Sequence, residues 1–165
     1  MKILITTASD ADAPAITALR TSVAEHLTRQ FGKGHWSSSA TEKSVLRSIK
    51  TSRVLVMRDD QEIIGTLTLA TKKPWAIDLS YFKSVKRPLH LIDMAVSPDR
   101  QRGGIGRRLL EEAKAVARAW PSEAIRLDAY DSDAGAGPFY AKCGFTEVGR
   151  KTYRGTPLIY FELLL

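Results

Sequence analysis

One cysteine, three histidines and no apolar run of membrane-spanning length are the shortages that first limit what this chain can do. A lone thiol, Cys143, can form no internal disulfide, which fits a reducing compartment, and the cytoplasm is the expected address. His26, His35 and His90 are scattered and share no ligand spacing with the cysteine, so no metal site is expected. No stretch reaches about 18 consecutive apolar residues, so no transmembrane helix is expected. The apolar opening Met1-Lys2-Ile3-Leu4-Ile5 breaks off at Thr6, too early for a signal peptide, and reads as a first strand. Repeats, low-complexity segments and nucleic-acid-binding motifs are also missing, so neither nucleic acid nor membrane is expected as a partner.

What is present is an ordinary globular composition. The 165 residues are 44% hydrophobic and 26% charged, enough for one domain over 1–165 with a substantial core. Lys and Arg number 25 against 18 Asp and Glu, a formal charge of +7. That excess favours anionic partners without naming one, and basic solvated faces account for it equally well. Four arginines, Arg100, Arg102, Arg107 and Arg108, crowd one glycine-rich stretch, an arrangement suited to a phosphate-bearing ligand.

Strands are predicted at 2–6, 53–57, 62–70, 89–96, 124–130, 146–153 and 157–164. A helix over 11–27 starts behind Ser9 or Asp10 with Pro14 in its first turn, and a second opens at 41–44 and runs to about 50. A third carries Ile105, Leu109, Leu110, Ala113, Val116, Ala117 and Trp120 at helical spacing, and a short one spans 133–143 before Gly144. Gly65, inside a strand, marks a bulge or a close backbone approach. The polar, basic and aromatic stretch 71–88 is long for a hairpin loop, the length of a functional lid or a disordered segment. The order β-α-α-β-β-β-α-β-α-β-β describes a mixed α/β domain.

The most informative stretch follows the apolar strand 89–96: Asp99-Arg100-Gln101-Arg102-Gly103-Gly104-Ile105-Gly106-Arg107-Arg108, then the third helix. Strand, glycine-rich turn and helix build an anion site, because glycine lets backbone approach a ligand and the first helical turn presents free N–H groups.

Gln101-Arg102-Gly103-Gly104-Ile105-Gly106 resembles the Gln/Arg-x-x-Gly-x-Gly/Ala signature of the GCN5-related N-acetyltransferase (GNAT) family. Ala95-Val96-Ser97-Pro98 before it and Phe139-Tyr140-Ala141-Lys142-Cys143-Gly144-Phe145 after it resemble that family's Val-x-Pro and Tyr-x-x-x-Gly-Phe motifs. The resemblance is specific over 89–145 and rests on element order before that. It implies the single-domain acyl-CoA N-acyltransferase fold, a central mixed and mostly antiparallel sheet flanked by helices, with acetyl-CoA as co-substrate. By similarity, the backbone of Met94, Ala95 and Val96 pairs with the pantetheine amides. The N–H groups from Arg102 to Arg107 hold the pyrophosphate, Gly104 and Gly106 leave it room, and Ile105 points inward. Arg102 and Arg107 can add charge-assisted contacts. Asp133 stands where the family often has an Asn that contacts the coenzyme, but an ionised carboxylate cannot donate a hydrogen bond.

Acetyl transfer to an amine needs a neutral amine, a stabilised oxyanion and a proton for the departing thiolate. Tyr140 matches the tyrosine that serves the family as general acid, with packing beside Phe139 as the alternative. For the base, His90 lies on the strand where family members place a His or Glu; a satisfied core histidine is the competing reading. On a regular strand His90, Ile92, Met94 and Val96 share one face and Asp93, a second candidate, faces the other way. Amines of low pKa need no enzymic base. Cys143 has no flanking His or acid, so direct attack in a ternary complex is expected rather than an acyl-enzyme.

The acceptor is expected to be a small-molecule amine framed by the loops carrying Trp36, Trp75 and Tyr81, with Glu25, Asp78 or Asp93 to attract a cation. The alternatives are a protein or peptide N-acetyltransferase, and a non-catalytic acyl-CoA-binding or sensing module. The apolar segment 158–165 allows a homodimer.

Overall fold

The structure, a computed structural model, describes residues 2–165. The strands are β1 Ile3–Thr7, β2 Arg53–Asp59, β3 Glu62–Ala70, β4 Pro88–Val96, β5 Ala124–Tyr130, β6 Thr146–Tyr153 and β7 Thr156–Leu164. The helices are α1 Ala13–Phe31, α2 Glu42–Thr51, α3 Ile105–Ala119 and α4 Gly137–Lys142. The order matches the one predicted, and backbone hydrogen bonds arrange the strands as one mixed sheet, β1-β2-β3-β4-β5-β7-β6. This is the architecture expected of the acyl-CoA N-acyltransferase fold. The chain clusters into two compact units: the part up to Ala70 with Ile92–Ala113, and Thr71–Leu91 with Lys114–Leu165.

In the first unit β1, β2 and β3 are antiparallel, with Ile5 opposite Met57 and Met57 opposite Gly65. Ile16 and Leu19 of α1, Val45 of α2, Val54, Val56 and Ile63 bury together with Ala95. Each large aliphatic side chain there contributes roughly 1.5–3 kcal/mol of burial free energy. Two boundaries of α1 differ from prediction for local reasons. Asp10–Asp12 forms a separate 3-10 turn, where Asp12 Oδ2 accepts from the Ser9 N–H at 2.9 Å and Asp12 Oδ1 pairs with Arg58 at 2.8 Å. At the other end the helix runs on to Phe31, stopped by Gly32 at φ 82, whose N–H bonds Thr28 O. Thr41 caps α2 by accepting from the Ser44 N–H at 3.1 Å. Gly65 serves both purposes expected of it. The β2–β3 register shifts beside it, and a Cβ at that position would lie 2.8 Å from Leu109 Cδ1.

In the second unit the start of β4 pairs in parallel with β5 over Pro88–Ala124, Leu89–Ile125 and His90–Arg126. β5 and β6 each pair antiparallel with β7, placing Glu162 opposite Arg126 and Tyr160 opposite Asp128. The segment 71–87 has one short 3-10 turn, Leu79–Tyr81, and folds onto its own unit. Tyr160 Oη donates to Ala76 O and accepts from the Asp78 N–H, while Ile77 and Phe82 bury against the Tyr160 ring. Helix α4 begins four residues later than predicted. Residues 131–136 form turns, and Gly135 passes so near Tyr130 that a Cβ would lie 1.9 Å from its carbonyl oxygen. Pro138 then starts the helix, where its missing N–H costs nothing.

Candidate functional site

The first unit carries the glycine-rich turn. After β4, Ser97 N–H donates to Ile64 O at 2.8 Å, and Pro98–Arg100 form a 3-10 turn. Arg100 anchors it, with Nη1 2.8 Å from Asp59 and Nη2 3.4 Å from Glu62. The Gln101 side chain donates to Val96 O at 3.2 Å, closing the turn back on the end of the strand. Arg102 (φ 65) and Gly104 (φ 82) are left-handed, one on each side of Gly103. Alternation of this kind swings successive N–H groups toward one side, the basis of anion-binding backbone concavities. Gly104 has open space at its Cβ position, so its requirement is the backbone angle rather than room. Ile105 points inward onto β3, its Cγ2 3.2 Å from where a Cβ on Gly65 would sit, while Arg102 and Arg107 stand exposed.

β4 is not a regular strand. Asp93 has φ 56, and Arg20 Nη2 holds its carboxylate at 2.9 Å. A left-handed residue interrupts the two-residue alternation, so the single face predicted for His90, Ile92, Met94 and Val96 does not exist as such. Asp93 is engaged by an arginine, and Ala95 turns into the core.

The second unit carries both predicted catalytic side chains. His90 is only 2% exposed, its Nδ1 has no hydrogen-bond partner, and it is the register neighbour of Arg126. Burial, reinforced by the charges of Arg126 and Lys73, lowers its pKa to about 4, so the imidazole is neutral and a weak base. Tyr140, 7% exposed, packs on Phe139, Phe145 and Phe161 at ring separations of 5.4, 5.8 and 6.1 Å. Burial first, then the nearby Asp128 and Cys143, pushes its phenol well above the usual range, so the hydroxyl keeps its proton. Phe161 alternates to the face opposite Glu162, so Tyr140 and His90 lie on opposite faces of the β5–β7 pair.

One candidate escaped the sequence reading. Asp128, in the middle of β5, has its pKa raised by burial with no hydrogen bond or cation to counter it. Its sequence signal, an acid within Ala-Ile-Arg-Leu-Asp-Ala-Tyr, is the one any half-solvated strand gives. Asp133 lies exposed in the turn before α4. The aromatics expected to frame the acceptor each lie within their own unit. The Trp36 indole N–H bonds Gly32 O within its own loop, Tyr81 packs edge-on against Tyr160 at 5.2 Å, and Trp75 is 81% exposed. No cluster of metal-ligating side chains and no helix able to cross a membrane occurs among the described residues.

The family model described as "Acetyltransferase (GNAT) family" matches residues 20–145. No curated protein sequence matches the chain. Solved structures similar to it include the PaiA N-acetyltransferase of Thermoplasma acidophilum in complex with coenzyme A, 18% identical over 97% of this chain and 98% of that one, TM-score 0.75. A Salmonella typhimurium protein solved with its cofactor acetyl-CoA is 19% identical over 99% and 94%, TM-score 0.73. The ribosomal-protein-alanine N-acetyltransferase of Brucella melitensis is 20% identical over 98% and 99%, TM-score 0.73. At these identities the likeness is one of fold.

Proposed function

Because the chain belongs to the GNAT acetyltransferase family, we propose that it moves an acetyl group from acetyl-CoA to the amine of a small molecule, by direct attack in a ternary complex within one catalytic domain. The observation that carries this is the anchored turn with left-handed Arg102 and Gly104 ahead of α3, a backbone cradle suited to a pyrophosphate. The N–H groups from Arg102 to Arg107 hold the phosphates, Gln101 braces the turn, and Gly103, Gly104, Ile105 and Gly106 keep it free of obstruction. Met94, Ala95 and Val96 offer backbone groups to the pantetheine amides. Asp133, acceptor-only when ionised, takes a hydrogen bond only from a donor on the coenzyme.

The coenzyme supplies the activated thioester; the chain positions it and manages protons. Tyr140, protonated although burial makes it a weaker acid than a free phenol, donates to the departing sulfur, and the Val96 N–H meets the developing oxyanion. For the base we favour Asp128 over His90. Burial raises the proton affinity of the Asp128 carboxyl above that of an ordinary carboxylate, whereas it lowers that of the His90 imidazole, to a pKa of about 4. A small acceptor is favoured because segment 71–87 is tied down by Tyr160 and by Asp78–Lys151 at 2.6 Å, which suits a narrow approach better than an extended peptide.

The test is thiol release from acetyl-CoA with a panel of amines, polyamines, amino acids, aminoglycosides and alanine-terminated peptides. Transfer to small amines supports the reading, and transfer confined to peptides replaces it with protein acetylation. Tyr140→Phe should lower kcat about 100-fold while leaving acetyl-CoA affinity unchanged. Unchanged turnover in that variant removes Tyr140 from the chemistry.

A further inference from the structure

The first unit contains a solvent-open cavity of about 440 Å³ between α1 and the loop that follows it, with Glu25, Arg29 and Lys33 exposed at its walls. From α1 it is lined by Thr21, Glu25, Thr28 and Arg29, and from the loop by Lys33 and Ser37. The stripe Thr21, Glu25, Arg29 repeats every fourth residue, so the three side chains succeed one another along one helix face. The loop side is braced. Thr28 Oγ1 donates to Ser37 Oγ at 2.7 Å, Ser37 Oγ also accepts from the Gly34 N–H at 3.0 Å, and Trp36 closes the loop onto Gly32. Glu25, Arg29 and Lys33, by contrast, form no ion pair among the described residues. The cavity therefore has polarity along its length, with an exposed carboxylate nearer one end and two exposed cations at the other.

Its carboxylate end starts one residue from the helix's ion-pair contact with the strand expected to carry the coenzyme. Thr21 follows Arg20, whose guanidinium holds Asp93 at 2.9 Å, and Asp93 precedes Met94. From Thr21 to Arg29 the helix rises about 12 Å at ~1.5 Å per residue. We infer that this cavity selects the acceptor: an elongated amine whose nitrogen lies at the Thr21–Glu25 end and whose anionic group, a carboxylate or phosphate roughly 10 Å away, is held by Arg29 and Lys33. This rests on the acetyl-transfer reading and names the substrate class for it. Glu25 draws the ammonium form in, Ser37 and Thr28 hydroxyls line the middle, and the cations set the length.

The experiment compares ω-aminooctanoate, ω-aminohexyl phosphate and octylamine as acceptors in the thiol-release assay. The anionic amines should show kcat/KM about fivefold or more above octylamine, expressed in KM. The Arg29→Glu/Lys33→Glu double variant should invert that preference, and Lys33→Gln should halve it or more should the double variant fail to fold. A ranking between the carboxylate and phosphate arms identifies the anion. Equal kcat/KM for charged and neutral tails overturns the inference, as does a preference that survives the reversal. A chain that binds acetyl-CoA by titration calorimetry yet acetylates none of the three also overturns it. Absence of acetyl-CoA binding overturns instead the reading on which it rests.

Discussion

Burial disfavours the charged forms of both His90 and Asp128, and their effects on stability run in opposite directions with pH. For His90 the folded pKa is about 4 against 6.5 for an unperturbed imidazole. Between those values the unfolded chain binds more protons, so stability is full above 6.5 and is lost as pH falls toward 4, by roughly 3 kcal/mol at 1.36 kcal/mol per unit. Urea unfolding of His90→Phe across that window should show a shallower acid-side decline than the parent; parallel declines would remove His90 as its cause. For Asp128 the folded pKa is raised above 3.8, so the folded chain keeps the proton longer and stability falls as pH rises through the shifted value. Asp128→Asn should accordingly be more stable than the parent at neutral pH and slower in acetyl transfer, and a variant that gains stability with full turnover would leave Asp128 outside the mechanism. The glycine turn was legible because left-handed backbone demands particular residue types. Asp93 was not, since Asp tolerates that region without announcing it, and the face assigned to His90 failed with it.

At the scale of elements, the segment 71–87 shows what pattern reading misses. Its length suggested a lid, but a buried ion pair fastens it. Arg126 lies 3.4 Å from Glu162, both about 95% buried, and Arg126 Nη2 donates to Lys83 O at 2.6 Å while the Lys83 N–H donates to Glu162. The Phe82 ring lies 5.2 Å below the guanidinium. Removing one charge strands the other, so Glu162→Gln should cost about 3–5 kcal/mol and speed hydrogen exchange at the Lys83 amide. Replacing both partners by Met and Leu should restore much of that stability while leaving Lys83 unprotected. Unaltered exchange in Glu162→Gln would mean the pair does not hold the segment. Strands β5 and β6 were readable to the residue from alternation and flanking turns. α4 and the fastening of 71–87 were not, because they depend on contacts between residues as distant as Lys83 and Glu162.

For the molecule as a whole, the donor was readable and the acceptor was not. The proposed coenzyme site rests on backbone geometry that a short motif specifies, so Gln101 to Gly106 with Tyr140 to Phe145 sufficed to point to the family that matches residues 20–145. The acceptor site inferred above is built from side chains of α1 and its loop, such as Arg29 and Lys33, for which sequence offers no fixed spacing. The formal charge of +7 predicts that acetyl-CoA affinity falls as ionic strength rises, since exposed arginines beside the turn are screened. The most direct test of the central claim is calorimetric titration of acetyl-CoA into the parent and into Gly104→Val, with unfolding midpoints measured alongside. Left-handed backbone at 104 disfavours a β-branched residue, so the variant should bind at least about tenfold more weakly while remaining folded. Equal affinity in a folded variant would show that the turn is not where the coenzyme's pyrophosphate is held.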